Sequence, residues 1–275
     1  MKLISVEKLY YAVNKGDFFS SSKAEKVILR DITFTIEKGS ILGIAGESGS
    51  GKTTLAKIIA GVYKPTGGEV KFSEELLNNK SKAGKIQILF QNNGEILNPL
   101  RIVEEVINEA LLIANNGRTG LKAEREAVFN SVGFSEELQK KKGYQLSGGE
   151  QQRAALARLL AVKPEILILD EPFSAQDPES QLNLLNLFKK INNELEISLI
   201  CIAHNLQILN KLCNNIIIMY NGEIVEAGNS EEIFNSPKHE YTKFLIKAGS
   251  YNLSSDEVLT ELRKFSKAQN GVKNN

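Results

Sequence analysis

The chain of 275 residues has no tryptophan, two cysteines, two histidines, two methionines and a net charge of only +1. Each scarcity narrows what it does. Cys201 and Cys213 lie in the apolar stretches "SLICIA" and "NKLCNN", without CxxC spacing. This argues against a redox pair and for two buried free thiols in a reducing compartment. The near-zero net charge gives no bulk electrostatic case for nucleic acid, though it leaves local basic patches open. The longest apolar runs, residues 166–169, 199–203 and 216–220, fall far short of the ~18 residues that cross a bilayer. The first residues, "MKLISVEKLYY", are interrupted by Glu7 and Lys8 and hold no signal-peptide core. The expected place is the cytoplasm, with any membrane work shared with another chain. No internal repeat is visible.

What is present is ordinary for a soluble globular protein, with 42% hydrophobic and 24% charged residues. Residues 1–45 read as strands: "VILRDITFTI" alternates, with Ile28, Ile32, Phe34 and Ile36 apolar, and "ILGIAG" is a compact buried strand. A helix "KTTLAKIIAGVY" follows, with Leu55, Ile58 and Ile59 on one face and Gly61 at its end. Residues 92–162 change character. "RIVEEVINEALLIANN", a loop at "NNGRTGLK" and two more helical stretches read as a helical lobe inserted into a strand-helix core. Then "EILILDEP" and "ISLICIAH" read as buried strands either side of the helix "PESQLNLLNLFKKINNEL", whose core stripe is Leu182, Leu185, Phe188 and Ile191. Strand-helix-strand alternation predicts a parallel sheet. "IIIMYNGEIVEAG" predicts a hairpin with a type I′ turn at Asn221-Gly222. The polar tail, 251–275, has a weak amphipathic pattern at Val258, Leu259, Leu262 and Phe265 and reads as a frayed helix.

The informative segment is "GESGSGKTT" at 46–54. It satisfies G-x-x-x-x-G-K-[ST] in full and sits between a predicted strand and a predicted helix, the context that gives the motif meaning. Gly46, Gly49 and Gly51 relax the backbone of Gly46, Glu47, Ser48, Gly49, Ser50 and Gly51, so that successive N–H groups line a concavity for phosphates. The helix start adds partial positive charge. Lys52 supplies a mobile charge for the β- and γ-oxygens, and Thr53, followed by Thr54, a hydroxyl for Mg2+. Asp170 ends the strand "ILILD" at the carboxyl edge, where ligands of open α/β sheets bind, and should hold Mg2+. Glu171 follows it and is better placed to polarise an attacking water. His204 ends the next predicted strand and reaches the same edge.

"LSGGEQQRAALARLL" at 146–160 raises a separate question. Ser147 and Glu150 form S-x-x-E, a capping box. Capping does not explain Gly148 and Gly149, each of which weakens a helix by ~1 kcal/mol relative to alanine. Side-chain-free amides at a helix start suit an anion. The pair thus reads either as a local helix start or as a second phosphate contact, and the phosphate can belong to a facing copy.

The set "GESGSGKTT", "LFQ", "LSGGEQQR", "ILILDEP", "SAQD" and "IAH", in this order, resembles the nucleotide-binding subunit of ATP-binding cassette (ABC) transporters over roughly residues 3–248. The resemblance implies an α/β fold: a P-loop NTPase core with a mostly parallel sheet, an N-terminal antiparallel β-subdomain and an inserted helical subdomain, the cassette spanning 1–250. It implies ATP and Mg2+ as ligands, Glu171 as catalytic base and His204 as switch histidine. Gln91 would lie near Mg2+ and the attacking water and link the site to the membrane partner, which residues 91–99 would face. Asp177 would cross a dimer interface, with Ser147, Gly148 and Gly149 on the nucleotide of the other cassette. The implied partners are transmembrane permease subunits, a second ATP-binding subunit and an extracytoplasmic substrate-binding protein, at the cytoplasmic face of the membrane. The aromatic that stacks on adenine is expected near Val13, and Tyr11 or Tyr10 stands nearest.

Finer features, "FQNNGEILNPL" and "NSPKHEYTKFLIKA", resemble the peptide/nickel import subfamily. Two departures from the pattern stand out: Gln176 where leucine is usual in "SAQD", and no cysteine after Cys213 for the cluster-binding extension of some members. The competing readings are a soluble relative acting in DNA repair or translation and a nucleotide-binding module without catalysis. Coiled coils, zinc-binding cysteines or a second cassette would favour the former; a missing catalytic residue would favour the latter.

Overall fold

Strands without a polar alternate, such as "ILILD" and "SLICI", can rest only in a sheet covered on both faces. The computed structural model of the chain describes residues 1–15, 24–77, 84–90, 97–174 and 176–249. Its elements are β1 (Lys2–Lys15), β2 (Ala24–Glu37), β3 (Ile41–Ala45), α1 (Lys52–Ile59), β4 (Gly67–Phe72), α2 (Glu74–Leu77) and β5 (Ile86–Leu89). Helices α3 (Val103–Ala114), α4 (Lys122–Ser131), α5 (Glu136–Gln139) and α6 (Gly148–Leu160) follow. The chain then continues through β6 (Ile166–Asp170), α7 (Pro178–Leu195), β7 (Ser198–Ile202), α8 (Leu206–Leu212), β8 (Asn215–Tyr220), β9 (Glu223–Asn229), α9 (Ser230–Asn235) and α10 (Glu240–Gly249).

The main sheet has the order β5-β6-β7-β3-β8-β9, parallel except for β9, which runs antiparallel to β8. A second sheet, β2-β1-β4, is antiparallel. Alternate residues of the main sheet feed two cores. Ile166, Ile168, Ile200, Ile202 and Met219 pack toward α1 and the antiparallel sheet, with Leu55, Ile58 and Ile59 between. Leu167, Leu169, Leu199, Cys201, Ile216 and Ile218 pack on the opposite face with residues of α6, α7, α8 and α10. Burying both faces is what the uninterrupted apolar pattern requires. The helical lobe closes on a stripe of Val103, Val106, Ile107, Ala110 and Leu111, the i, i+3, i+4, i+7, i+8 face of α3.

Three readings of local pattern change. Leu182 is 55% exposed, and α7 buries Leu184, Leu185, Leu187, Phe188 and Ile191 instead, so its apolar face begins two residues later. In β2, Leu29 takes the inward place expected of Ile28. Asp31 is at φ 48° in the left-handed region, and the β1–β2 register shifts nearby; a bulge of this kind switches which face the alternating residues meet. The lobe also carries α5, a four-residue helix between the two expected after the loop. Asn221 (φ 48°) and Gly222 (φ 83°) form the two-residue turn between β8 and β9, and both thiols are free and buried. Gln91, most of segment 91–99 and the tail 251–275 lie outside the described residues. Among the described residues no helix is long and apolar enough to cross a membrane.

Candidate active site

The loop after β3 is fixed by what glycine permits. At Gly46 (φ 149°) a Cβ would stand 2.2 Å from the Met219 carbonyl oxygen, so no side chain fits. Gly51, at φ 101°, ends the loop without any side chain to cap α1. The first amides of that helix therefore lack intrahelical partners, as at any helix start, and the macrodipole points at the loop. Ser50 Oγ is buried and has no hydrogen-bond partner among the described residues. An anion would satisfy it. The donor set thus fits phosphate.

Lys52 is 7% exposed, and its Nζ donates to the carbonyl oxygens of Gly46 and Glu47, both at 2.7 Å. Burial pushes its pKa down, while Glu171, Asp170 and Glu47 pull it back up. A cation held on two neutral carbonyls loses little by moving to phosphate oxygens. Thr53 Oγ1 donates to Asp170 Oδ1 at 3.2 Å, joining α1 to the end of β6. Burial raises the pKa of Asp170, and the threonine hydrogen bond opposes that rise. A carboxylate and a hydroxyl side by side, with phosphate oxygens to complete the shell, form an all-oxygen set of the kind Mg2+ takes.

Glu171 sits at φ 53°, a conformation few non-glycine residues adopt and one that concentrates at functional sites. Its N–H donates to Ile202 O at 2.9 Å, which locks the turn onto β7. The same strand delivers His204, whose Nδ1 lies 2.9 Å from Glu171 Oε2, and Ser174 Oγ donates to that oxygen at 3.2 Å. Burial raises the Glu171 pKa, but His204, Lys52 and Ser174 outweigh it and the net shift is downward, so the carboxylate stays ionised. His204 shifts the other way, chiefly through its hydrogen bond to Glu171.

The sign of each shift fixes the pH window of this pair. A raised histidine pKa gives an attraction that is complete below the unfolded value and lost as pH rises through the folded one. A lowered glutamate pKa gives one present above the unfolded value and lost as pH falls through the folded one. The chain has only two histidines, so proton NMR resolves the test. The His204 ring should titrate above the ordinary ~6.5 and return toward that value in Glu171→Gln. An unshifted midpoint in both proteins would contradict the pairing.

Ser147, Gly148 and Gly149 lie elsewhere. Ser147 Oγ accepts from Glu150 N–H, and Glu150 Oε2 accepts from Ser147 N–H at 2.7 Å, the capping box expected from S-x-x-E. Both glycines are exposed, neither has a positive φ, and nothing lies within 4 Å of a Cβ built on either. Local geometry therefore gives no reason for glycine at 148 or 149. α6 packs on α3, α4 and β5, and among the described residues no hydrogen bond or ion pair joins residues 147–149 to the loop, Asp170 or Glu171. Asp177 caps α7, accepting from Ser180 N–H at 2.9 Å and Ser180 Oγ at 2.6 Å. Gln176 Nε2 reaches Gln152 Oε1 at 3.5 Å, and Gln152 Nε2 donates to Pro172 O, so the unusual glutamine ties its loop to α6. The ring of Tyr11 is stacked on Tyr63, centroids 5.7 Å apart and planes within 2°; only its other face remains for a base.

One contact joins segments that no local sequence pattern connects. Tyr241 Oη accepts from Glu47 N–H at 3.0 Å. The signal was the "HEYT" segment, but nothing local tells where a tyrosine 194 residues away will dock.

Comparison with known proteins agrees with this geometry. Residues 29–174 match the family described as ABC transporter. The dipeptide transport ATP-binding protein DppF of Haemophilus influenzae is 36% identical over 251 residues, covering 88% of this chain and 75% of that protein. The methionine import ATP-binding protein MetN 2 of Enterococcus faecalis is 38% identical over 249 residues, 88% of this chain and 71% of that one. Among solved structures, the dimeric post-hydrolysis state of the ATP-binding cassette MJ0796 bound to ADP and Pi superimposes with a TM-score of 0.67 at 26% identity, covering 83% of this chain and 99% of that one.

Proposed function

The chain belongs to the ABC transporter family and is an ATP-hydrolysing transport subunit; on that premise we propose that it powers import of short peptides through a composite site made with a second ATP-binding chain. The observation that carries the catalytic assignment is the convergence of Lys52, Thr53, Asp170, Glu171 and His204 at the carboxyl edge of one parallel sheet.

Each residue then has a physical task. Lys52 leaves the Gly46 and Glu47 carbonyls for the β/γ-oxygens. The amides of Gly49, Ser50, Gly51, Lys52, Thr53 and Thr54 hold the phosphates. Thr53 and Asp170, with Gln91, would hold Mg2+, which when bound neutralises charge on the phosphate oxygens. Glu171 orients the attacking water and takes its proton, and His204 holds Glu171 and faces the γ-phosphate. Tyr11 offers its free face to adenine. Ser147, Gly148 and Gly149 serve the nucleotide of the partner, with Asp177 at the same interface. Their exposure without local purpose supports this reading, as does a fold shared with a dimeric cassette.

Permease subunits at the cytoplasmic face of the membrane would receive the motion, and an extracytoplasmic substrate-binding protein would supply the cargo. The name of the dipeptide-transport relative and the resemblance at "HEYTKF" support peptides; nickel lacks the first of these supports. The test is reconstitution in vesicles with candidate permease subunits. ATP-dependent accumulation of a labelled dipeptide is expected. Accumulation of methionine or nickel without peptide would overturn the substrate class and leave the ATPase assignment standing.

A further inference from the structure

The nucleotide loop is held from outside by the segment that the catalytic assignment leaves without a task. Tyr241, in α10, is fully buried, and its hydroxyl accepts the Glu47 N–H at 3.0 Å. That N–H belongs to the peptide linking Gly46 to Glu47. The same peptide offers the Gly46 carbonyl, on its opposite edge, to Lys52 Nζ at 2.7 Å. A trans peptide is flat and rigid, with N–H and C=O pointing opposite ways. Tyr241 and Lys52 therefore grip two ends of one plate, and a hydrogen bond at one end polarises the other. Turning the plate would move the oxygen on which Lys52 rests.

The tyrosine is itself firmly placed. Its ring lies 4.3 Å from that of Tyr220, centroid to centroid. Tyr220 leads into the turn whose Gly222 N–H donates to Ser50 O at 3.2 Å, so the aromatic pair is tied to both ends of the loop. Ahead of α10, Glu226 on β9 accepts from the N–H groups of Lys238 (2.8 Å) and His239 (3.0 Å), and His239 Nδ1 accepts from Tyr241 N–H at 3.1 Å. Each of the residues His239 and Tyr241 in "HEYT" thus has a structural task that ends at the loop.

We propose that Tyr241 is a positioning residue for ATP: its hydroxyl fixes the Gly46–Glu47 peptide at the head of the loop, so that α10 holds the loop backbone in the shape that receives phosphate and thereby sets nucleotide affinity. The proposal rests on residues 46–53 being the nucleotide loop. Equilibrium binding of a fluorescent ATP analogue to the wild-type chain tests that premise separately.

The variant that isolates the hydroxyl is Tyr241→Phe, which keeps the ring and its packing. Losing one hydrogen bond to a fixed amide should raise KM for ATP, and Kd for the analogue, about five- to tenfold. Saturated kcat should stay within about twofold, because Glu171 and His204 are untouched. Ile233→Ala, which opens the core under α9 without touching the loop, should lower Tm and leave KM unchanged. A Tyr241→Phe protein with lowered Tm but unchanged KM and Kd would overturn the proposal, as would a fall in kcat at unchanged KM. A rise in KM for Ile233→Ala equal to that for Tyr241→Phe would also overturn it, since general loosening would then suffice.

Discussion

Glu171→Gln should retain ATP and lose turnover. The substitution keeps size and leaves the loop amides, Lys52, Thr53 and Asp170 as they are, so the contacts that bind phosphate survive. It removes the negative oxygen that pairs with His204 and accepts a proton from water, and the second of these tasks carries turnover. General base catalysis of this kind contributes about 10²–10⁴-fold, and kcat should fall by that amount. The side chain sits at φ 53° and is 17% exposed, held by His204 and Ser174, so the turn itself should persist in the variant. ATPase assays together with equilibrium binding of a fluorescent ATP analogue check both halves. A near-normal kcat would remove Glu171 from the chemistry, and loss of ATP binding would make its role structural.

Gly149→Asp should abolish turnover by a different route. Position 149 is the second residue of α6, and a Cβ there meets nothing within 4 Å. Carboxylates near a helix start are favourable by about 0.3–1 kcal/mol, and replacing glycine recovers part of its ~1 kcal/mol penalty. The isolated chain should therefore melt no earlier than wild type. In the proposed composite site the same carboxylate would meet the γ-phosphate of the facing nucleotide, and losing an anion-stabilising contact of that kind costs about 10²–10³ in kcat. Raised or unchanged Tm with lost activity is the signature of a site completed elsewhere. A lowered Tm with proportionate loss would return "LSGGE" to a purely local role.

How much of this was legible in the sequence depends on range. The loop, the strand ending in Asp170-Glu171 and the I′ turn are local patterns, and each stands where its residues indicate. The fold follows as well, because "ILILD" and "SLICI" tolerate no exposed face. What escaped reading depends on partners distant in the chain. Leu29 rather than Ile28 faces inward because of a bulge that alternation does not register. Leu182 fits the helical period, but α7 meets the core only from Leu184 onward. The φ of Glu171 and its grip by His204 arise where β6 meets β7, and the hold of Tyr241 on Glu47 arises where α10 meets the loop. The glycines at 148 and 149 were legible as an anomaly, and the structure sharpens it by finding no local cause.

The central claim is that one chain carries two halves of two different sites. Mixing an inactive Lys52→Ala chain with an inactive Gly149→Asp chain, in equal amounts, and measuring ATPase activity tests it directly. With a second copy as the partner, half the dimers are mixed, and each mixed dimer has one intact site, formed by Lys52 of one chain and Gly149 of the other. Activity should return to about a quarter of wild type. A mixture as inactive as its components would contradict the claim.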